Sequence, residues 1–322
     1  MIYDFFIDIV GTCNLSCPSC PTGNFKKLDF YDKARPKGFM QLDDFHTAIR
    51  KISEFQNPSE TSLHLYNWGE PLLHPQLNEI LAKASDYEFK IYISSNLNTN
   101  KNITTLLNHN VKFLRISNSG YYQNTYRTSH RRGDINLVKS NMYLLRHLMD
   151  KRKSCIDIEL FYHMYKSNIG EDLIKMKDLC DELNYRFTPV VANFVNVEKV
   201  MKYINDDISN EDKSTISNLL ISIEQSIKIS NKKENNSCHL YENQIVINFD
   251  GTISLCCGVY DPRYLLSKNI LKHSLLDIQE SKSKFSEYCK KCTEIGIHNY
   301  LMAKNENEIK SFVRKKYNLK NE

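Results

Sequence analysis

The chain has 322 residues, enough for one large domain or for one with a small appendage. With 41% hydrophobic and 25% charged residues it has the composition of a soluble globular protein. Its 43 basic and 38 acidic side chains leave a net charge of +5 without a long basic run, which excludes the electrostatic footprint of a nucleic-acid binder.

Residues 1–10 carry Asp4 and Asp8 but no basic n-region, and no stretch of about 18 residues is continuously apolar. A cytoplasmic protein without a membrane span is expected. Ten cysteines in such a chain are metal ligands before they are disulfides. The first apolar run, residues 5–10, leads directly to Cys13-Asn14-Leu15-Ser16-Cys17-Pro18-Ser19-Cys20, a C-x3-C-x2-C triplet. A 4Fe–4S cluster normally takes four thiolates, so three from one loop leave an iron open to an outside ligand. The competing readings are a zinc site, which prefers four closed ligands, and unrelated loop cysteines. The spacing resembles that of the radical S-adenosylmethionine (SAM) superfamily. That resemblance implies that SAM chelates the open iron through its amino and carboxylate groups. It further implies that one electron cleaves SAM to methionine and a 5′-deoxyadenosyl radical, which takes a hydrogen atom from substrate. A reducing partner of the flavodoxin or ferredoxin type is implied with it.

From residue 1 to 192 short apolar runs alternate with helix-period segments. The runs lie at 5–10, 62–66, 89–94, 112–117, 156–162 and 186–191. The clearest helix carries Leu42, Phe45, Ile49, Ile52 and Phe55 with Asp43 and Asp44 in its first turn; others follow Ile135–Met149 and Leu173–Leu183 periodicities. This alternation predicts an α/β fold with a parallel sheet wrapped by helices. The resemblance makes it a partial (β/α)6 TIM-like barrel whose ligands sit at the C-terminal strand ends.

Several strand ends match the family's SAM-binding pattern. Asn67-Trp68-Gly69-Glu70-Pro71 resembles its GGEP motif, with Trp68 in place of the first glycine; read alone, Gly-Glu-Pro is a surface turn. Ser94, Ser95 and Asn96 stand where the family places ribose contacts, and Ser117-Asn118-Ser119-Gly120 resembles its S-x-x-G turn. Arg131 or Arg132 is the candidate for a bidentate grip on the SAM carboxylate, against the alternative of a solvated surface pair. His163 and Asn168 are candidates to reach the adenosine.

Residues 193–236 read as a helical bridge, with apolar positions Ile216, Leu219, Leu220, Ile223 and Ile227, ending in the polar linker 232–236. A smaller unit is expected over 237–322. There residues 245–249 and 252–256 flank Asp250-Gly251, a two-residue hairpin turn that pairs Phe249 with Thr252 and Ile245 with Cys256. Cys238, Cys256, Cys289 and Cys292 offer four thiolates, enough for a second 4Fe–4S cluster or for a zinc ribbon. Their spacing resembles the family's C-terminal twitch domain, a short relative of the SPASM domain that holds one auxiliary cluster. By strand alternation Cys257 faces away from Cys256, as a packed thiol or as a hydrogen-atom donor. Cys155 and Cys180 read as buried hydrophobes.

With four thiolates and no vacancy, the second cluster suits electron acceptance, and the nearest resemblance is to alcohol-oxidising aminocyclitol dehydrogenases and to radical SAM proteins of polysaccharide gene clusters. The expectation is an oxidoreductase acting on a small polar metabolite, a sugar or cyclitol. The alternatives are a peptide- or protein-modifying radical SAM enzyme, and a non-catalytic iron–sulfur or zinc protein.

Overall fold

The computed structural model describes residues 3–27, 37–232, 237–283 and 286–319. Six parallel strands follow in chain order across one sheet: β1 (Asp4–Asp8), β2 (Ser62–His64), β3 (Lys90–Ser95), β4 (Val111–Asn118), β5 (Asp157–Met164) and β6 (Arg186–Val191). Between and after them run α1 (Leu42–Phe55), α2 (Leu77–Asp86), α3 (Gln123–Ser129), α4 (Ile135–Arg152), α5 (Glu171–Glu182) and α6 (Val197–Ile204), with only a short 3₁₀ turn, Thr104–Leu107, joining β3 to β4. The expected partial barrel is the observed fold, with β6 an open edge.

Strand alternation splits each strand between two environments. On β4, Leu114 and Ile116 are buried in the core with the helix faces, while Phe113, Arg115 and Ser117 point to the other side. That side carries a stack of rings in register: Phe6 against His64 at 4.3 Å and His64 against Tyr92 at 4.9 Å.

The chain then continues through α7 (Asn210–Ser217), α8 (Ile223–Ser230) and α9 (His239–Glu242) into β7 (Gln244–Asn248), β8 (Thr252–Ser254) and β9 (Leu265–Asn269). It ends with α10 (Leu275–Ser283), α11 (Glu287–Ile295), α12 (Ile297–Leu301) and α13 (Glu306–Tyr317). β7 pairs in parallel with the free edge of β1, from Asp4 with Gln244 to Asp8 with Asn248, so all nine strands form one sheet. Ile245, Ile247, Ile253, Ile278 and Val313 share the barrel's core. A second core joins Phe194, Val197 and Val200 of the bridge to Leu240, Tyr241, Leu255 and Tyr300.

Three local expectations are corrected. The amphipathic stretch 216–227 is two helices, because the Ser222 side chain accepts the Gln225 amide at 3.2 Å and starts α8 afresh. The hairpin register shifts by one: Ile247 faces Ile253 and Val246 faces Ser254 around a three-residue loop. Gly251 takes φ +77° there, the left-handed geometry of a bulged turn, and its amide donates to the Asn248 carbonyl at 2.8 Å. Cys155 is exposed, whereas Cys180 is fully buried. Linker residues 233–236 lie outside the described residues.

Candidate functional site

The triplet loop leaves β1 and folds on itself. The Cys20 amide donates to the Cys17 carbonyl at 3.0 Å, and Asn24 Nδ2 donates to the carbonyls of Cys17 and Cys20, each at 2.7 Å. Asn96 Nδ2 approaches Cys13 Sγ at 3.6 Å and bonds Asn14 Oδ1 at 3.1 Å, joining the loop to the end of β3. Burial raises all three thiols; Glu70 and the neighbouring sulfurs add to it at Cys13, Cys20 at Cys17, and Asp8 at Cys20. Such thiols ionise when a metal takes them.

The strand ends converge on the same point. Asp8 on β1 accepts the Trp68 amide at 3.1 Å and the Gly69 amide at 3.0 Å. A Cβ on Gly69 would lie 1.6 Å from the Val10 carbonyl, so only glycine fits this crossing. Glu70 is 3% exposed; its carboxylate accepts from the Leu72 amide at 3.1 Å, Ser95 Oγ at 2.8 Å and the Asn96 amide at 2.9 Å. Burial pushes it up to about 7 despite those donors. A cavity of about 190 Å³ at this end of the sheet is lined by Cys13, Cys17, Asn67, Gly69, Glu70, Ser94, Ser95, Asn96 and Ser117. Asn67 Nδ2 is buried there without a hydrogen-bond partner, as is Trp68 Nε1 outside the cavity's lining.

Other candidates lie elsewhere. Trp68 turns its ring edge-on to Tyr260 of the C-terminal unit, 5.8 Å away. Arg131 forms an ion pair with Glu211 and, with the exposed Arg132, lines a second cavity with Thr12, Thr22 and Lys37 that shares Cys13 and Leu15 with the first. His163 Nε2 bonds Ser117 Oγ at 3.1 Å, and Asn168 holds the Ser119 and His163 carbonyls, each at 2.8 Å. The guanidinium that does line the first cavity is Arg115, donating to Ser94 Oγ at 2.9 Å beneath the Tyr66 and Phe161 rings. Tyr66 and His130 line it too. These three were missed, although Arg115-x-Ser117 on one strand face was a readable signal.

The second thiol group gathers around α11. Ser286 caps that helix by accepting the Cys289 amide at 3.1 Å, and Cys289 and Cys292, three apart, share a face. Cys238 and Cys256 line the same small cavity as this pair, with Tyr288 and Val197. Cys256 and Cys257 lie past the end of β8, so strand alternation does not separate them. The cavity does: Cys256 lines it and Cys257 does not, although Cys257 lies near enough to Cys238, Cys256 and Tyr66 to interact electrostatically with them. α6 bridges the two thiol groups, since Lys199 Nζ reaches the Pro18 carbonyl at 3.5 Å while Glu198 accepts the amides of Tyr260 and Asp261.

Among the described residues no three His, Cys, Asp or Glu side chains converge on one ion-sized point. Donor chemistry decides the fit: three thiols beside the unpartnered Asn67 amide at one site, four thiols among apolar side chains with Tyr288, Thr293 and His298 at the other.

A partial parallel barrel with a cysteine loop after its first strand is a fold that this chain shares with solved structures, among them the following three. BtrN in complex with AdoMet and 2-DOIA is 14% identical, with 92% of this chain and 88% of that one covered at a TM-score of 0.53. SuiB of Streptococcus suis bound to S-adenosylmethionine is 14% identical over 93% and 72%, TM-score 0.58. The anSMEcpe structure with bound AdoMet and Kp18Cys peptide is 13% identical over 89% and 83%, TM-score 0.55. No protein-family model and no curated protein sequence matches the chain. No described helix is long and apolar enough to cross a membrane.

Proposed function

We propose that this chain is a radical SAM oxidoreductase that dehydrogenates a small polar metabolite such as a sugar or cyclitol. The observation that carries the reading is the single cavity in which Cys13 and Cys17 meet Asn67, Gly69, Glu70, Ser94, Ser95, Asn96 and Ser117. Cys13, Cys17 and Cys20 would hold one 4Fe–4S cluster, and Cys238, Cys256, Cys289 and Cys292 an auxiliary one. When bound, the first cluster and SAM supply a 5′-deoxyadenosyl radical that removes a hydrogen atom, and the auxiliary cluster supplies a sink for one electron. The chain's own residues do the positioning. The Glu70 carboxylate and the unpartnered Asn67 amide offer an acceptor and donors for the methionyl end of SAM. Ser94, Ser95 and Asn96 offer hydroxyl and amide groups for its ribose. Arg115 and Ser117 face the space between these groups and the barrel interior. A flavodoxin- or ferredoxin-type partner would deliver the reducing electron.

Anaerobically reconstituted protein should contain about eight irons and eight sulfides, and dithionite-reduced protein should cleave SAM to 5′-deoxyadenosine. With substrate, one SAM should be consumed per product, and product should be two mass units lighter because two hydrogens leave. Deuterated candidate substrates should pass label to 5′-deoxyadenosine. Protein that binds zinc and cleaves no SAM would end this reading in favour of a zinc-binding or electron-carrier protein. A peptide-modifying enzyme is the second reading, supported by the likeness to SuiB and to anSMEcpe, the latter in complex with the Kp18Cys peptide. Label transfer from a peptide and from no sugar or cyclitol would select it.

A further inference from the structure

We propose that Lys282 sets the reduction potential of the auxiliary site, its buried ammonium favouring the reduced cluster and so making Cys238, Cys256, Cys289 and Cys292 an electron-accepting group. The inference rests on the 4Fe–4S reading of those four cysteines. Lys282 lies near the end of α10 and is 6% exposed. Its Nζ donates to the Gln244 carbonyl at the start of β7 and sits 5.1 Å from the centre of the Tyr241 ring, while the Tyr241 hydroxyl donates to the Lys282 carbonyl. The ammonium and the backbone that carries it are thereby both held. The turn that Tyr241 occupies begins at Cys238, and Tyr241, whose ring meets the ammonium, itself lines the thiol niche.

Lysines are almost never fully buried unless paired with an opposite charge. Among the described residues no carboxylate forms an ion pair with Lys282. Burial lowers its pKa to about 8, opposed by Cys256, Cys238, Cys289 and Cys257 where they carry charge; the geometric link to those sulfurs is Tyr241, which meets the ammonium and lines their niche. Four thiolates on a 4Fe–4S core make a net dianion, and one added electron makes a trianion. A fixed positive charge in a low-dielectric setting stabilises the trianion more than the dianion, which raises the potential. Taking one electron from a substrate radical, with the proton released separately, is the direction that shift favours.

The test uses the full chain with Cys13, Cys17 and Cys20 replaced by Ala, so that only the auxiliary cluster is present, and follows its reduction by EPR-monitored potentiometry. Lys282→Met should lower the ratio of reduced to oxidised cluster at least tenfold at a fixed potential, a 59 mV drop in midpoint for one electron. Lys282→Arg, which keeps the charge, should restore it. Lys282→Gln, which keeps a donor for the Gln244 carbonyl, should behave as the Met variant and guards against a folding defect. An unchanged midpoint in both neutral variants overturns the proposal. A raised midpoint does so as well, because it would report water entering an emptied space. Loss of the cluster even in Lys282→Arg would make Lys282 a packing residue and overturn it too. Failure of the underlying reading is separate and visible first: the Cys-loop variant with native Lys282 would then hold zinc or no iron.

Discussion

At the scale of single residues, the barrel interior is built from polar groups whose charge states are set by burial. His64 lies between the Phe6 and Tyr92 rings, with Nδ1 3.3 Å from the Tyr66 hydroxyl, and burial followed by the Arg115 charge lowers it to about 4. A histidine lowered in the folded state adds stability that is complete above its ordinary value of 6.5 and is lost as pH falls toward 4. The shift corresponds to about 3 kcal/mol by linkage. Urea unfolding between pH 7 and 4 should therefore show a loss in the native chain that His64→Phe reduces by about that amount; parallel curves would contradict the assignment. Glu70 shows the opposite economy, since its carboxylate serves three donors and fastens the ends of β2 and β3.

At the scale of elements, the hairpin decides where the auxiliary donors stand. Alternation along a strand ending at Cys256 would have sent Cys256 and Cys257 to opposite faces, but β8 stops at Ser254 and both cysteines lie in the bend that follows. The left-handed Gly251 puts three residues in the loop in place of two, which moves the pairing register by one as well. What separates the two thiols is the niche that Cys256 shares with Cys238, Cys289 and Cys292. Cys256→Ser should lose about half the iron of the reconstituted protein, while Cys257→Ser should keep it, as measured by iron and sulfide analysis. The reverse pattern would make Cys257 the ligand. If Cys257→Ser kept both clusters and still stopped product formation while SAM cleavage went on, the hydrogen-donor role would gain its first support.

At the scale of the whole molecule, the sheet runs on across residue 237. β1 lies between β2 and β7, and Ile245, Ile247 and Ile253 fill the same core as Phe5 and Ile7. A chain ended at residue 232 would expose the backbone edge of β1 and remove those side chains from its core. It should be insoluble or lack a cooperative unfolding transition, whereas the full chain should unfold as one unit on the barrel side; a soluble, cooperatively folded 1–232 fragment would show that β7 merely decorates a finished barrel. α6 carries the same dependence to the sites, through Lys199 toward the triplet loop and Glu198 toward the loop after Cys257.

The order of strands and helices was legible from apolar periodicity, and the seven candidate cluster thiols from spacing, because both are local properties of the chain. The Gly69 crossing and the Glu70 clasp follow from a short motif with a defined backbone path. What periodicity could not carry was pairing at a distance. Which edge β7 takes, which guanidinium enters the cavity, and which lysine is buried beside the thiols depend on residues tens to hundreds of positions apart meeting in the fold. Arg115 and Arg131 are both basic residues near β4, yet only the fold turns Arg115 into the cavity and gives Arg131 to Glu211. Lys282 reads in sequence as one more solvated charge on a polar helix; packing of α10 against the sheet carries it to the start of β7, where it is buried against the Gln244 carbonyl and the Tyr241 ring beside the thiol niche.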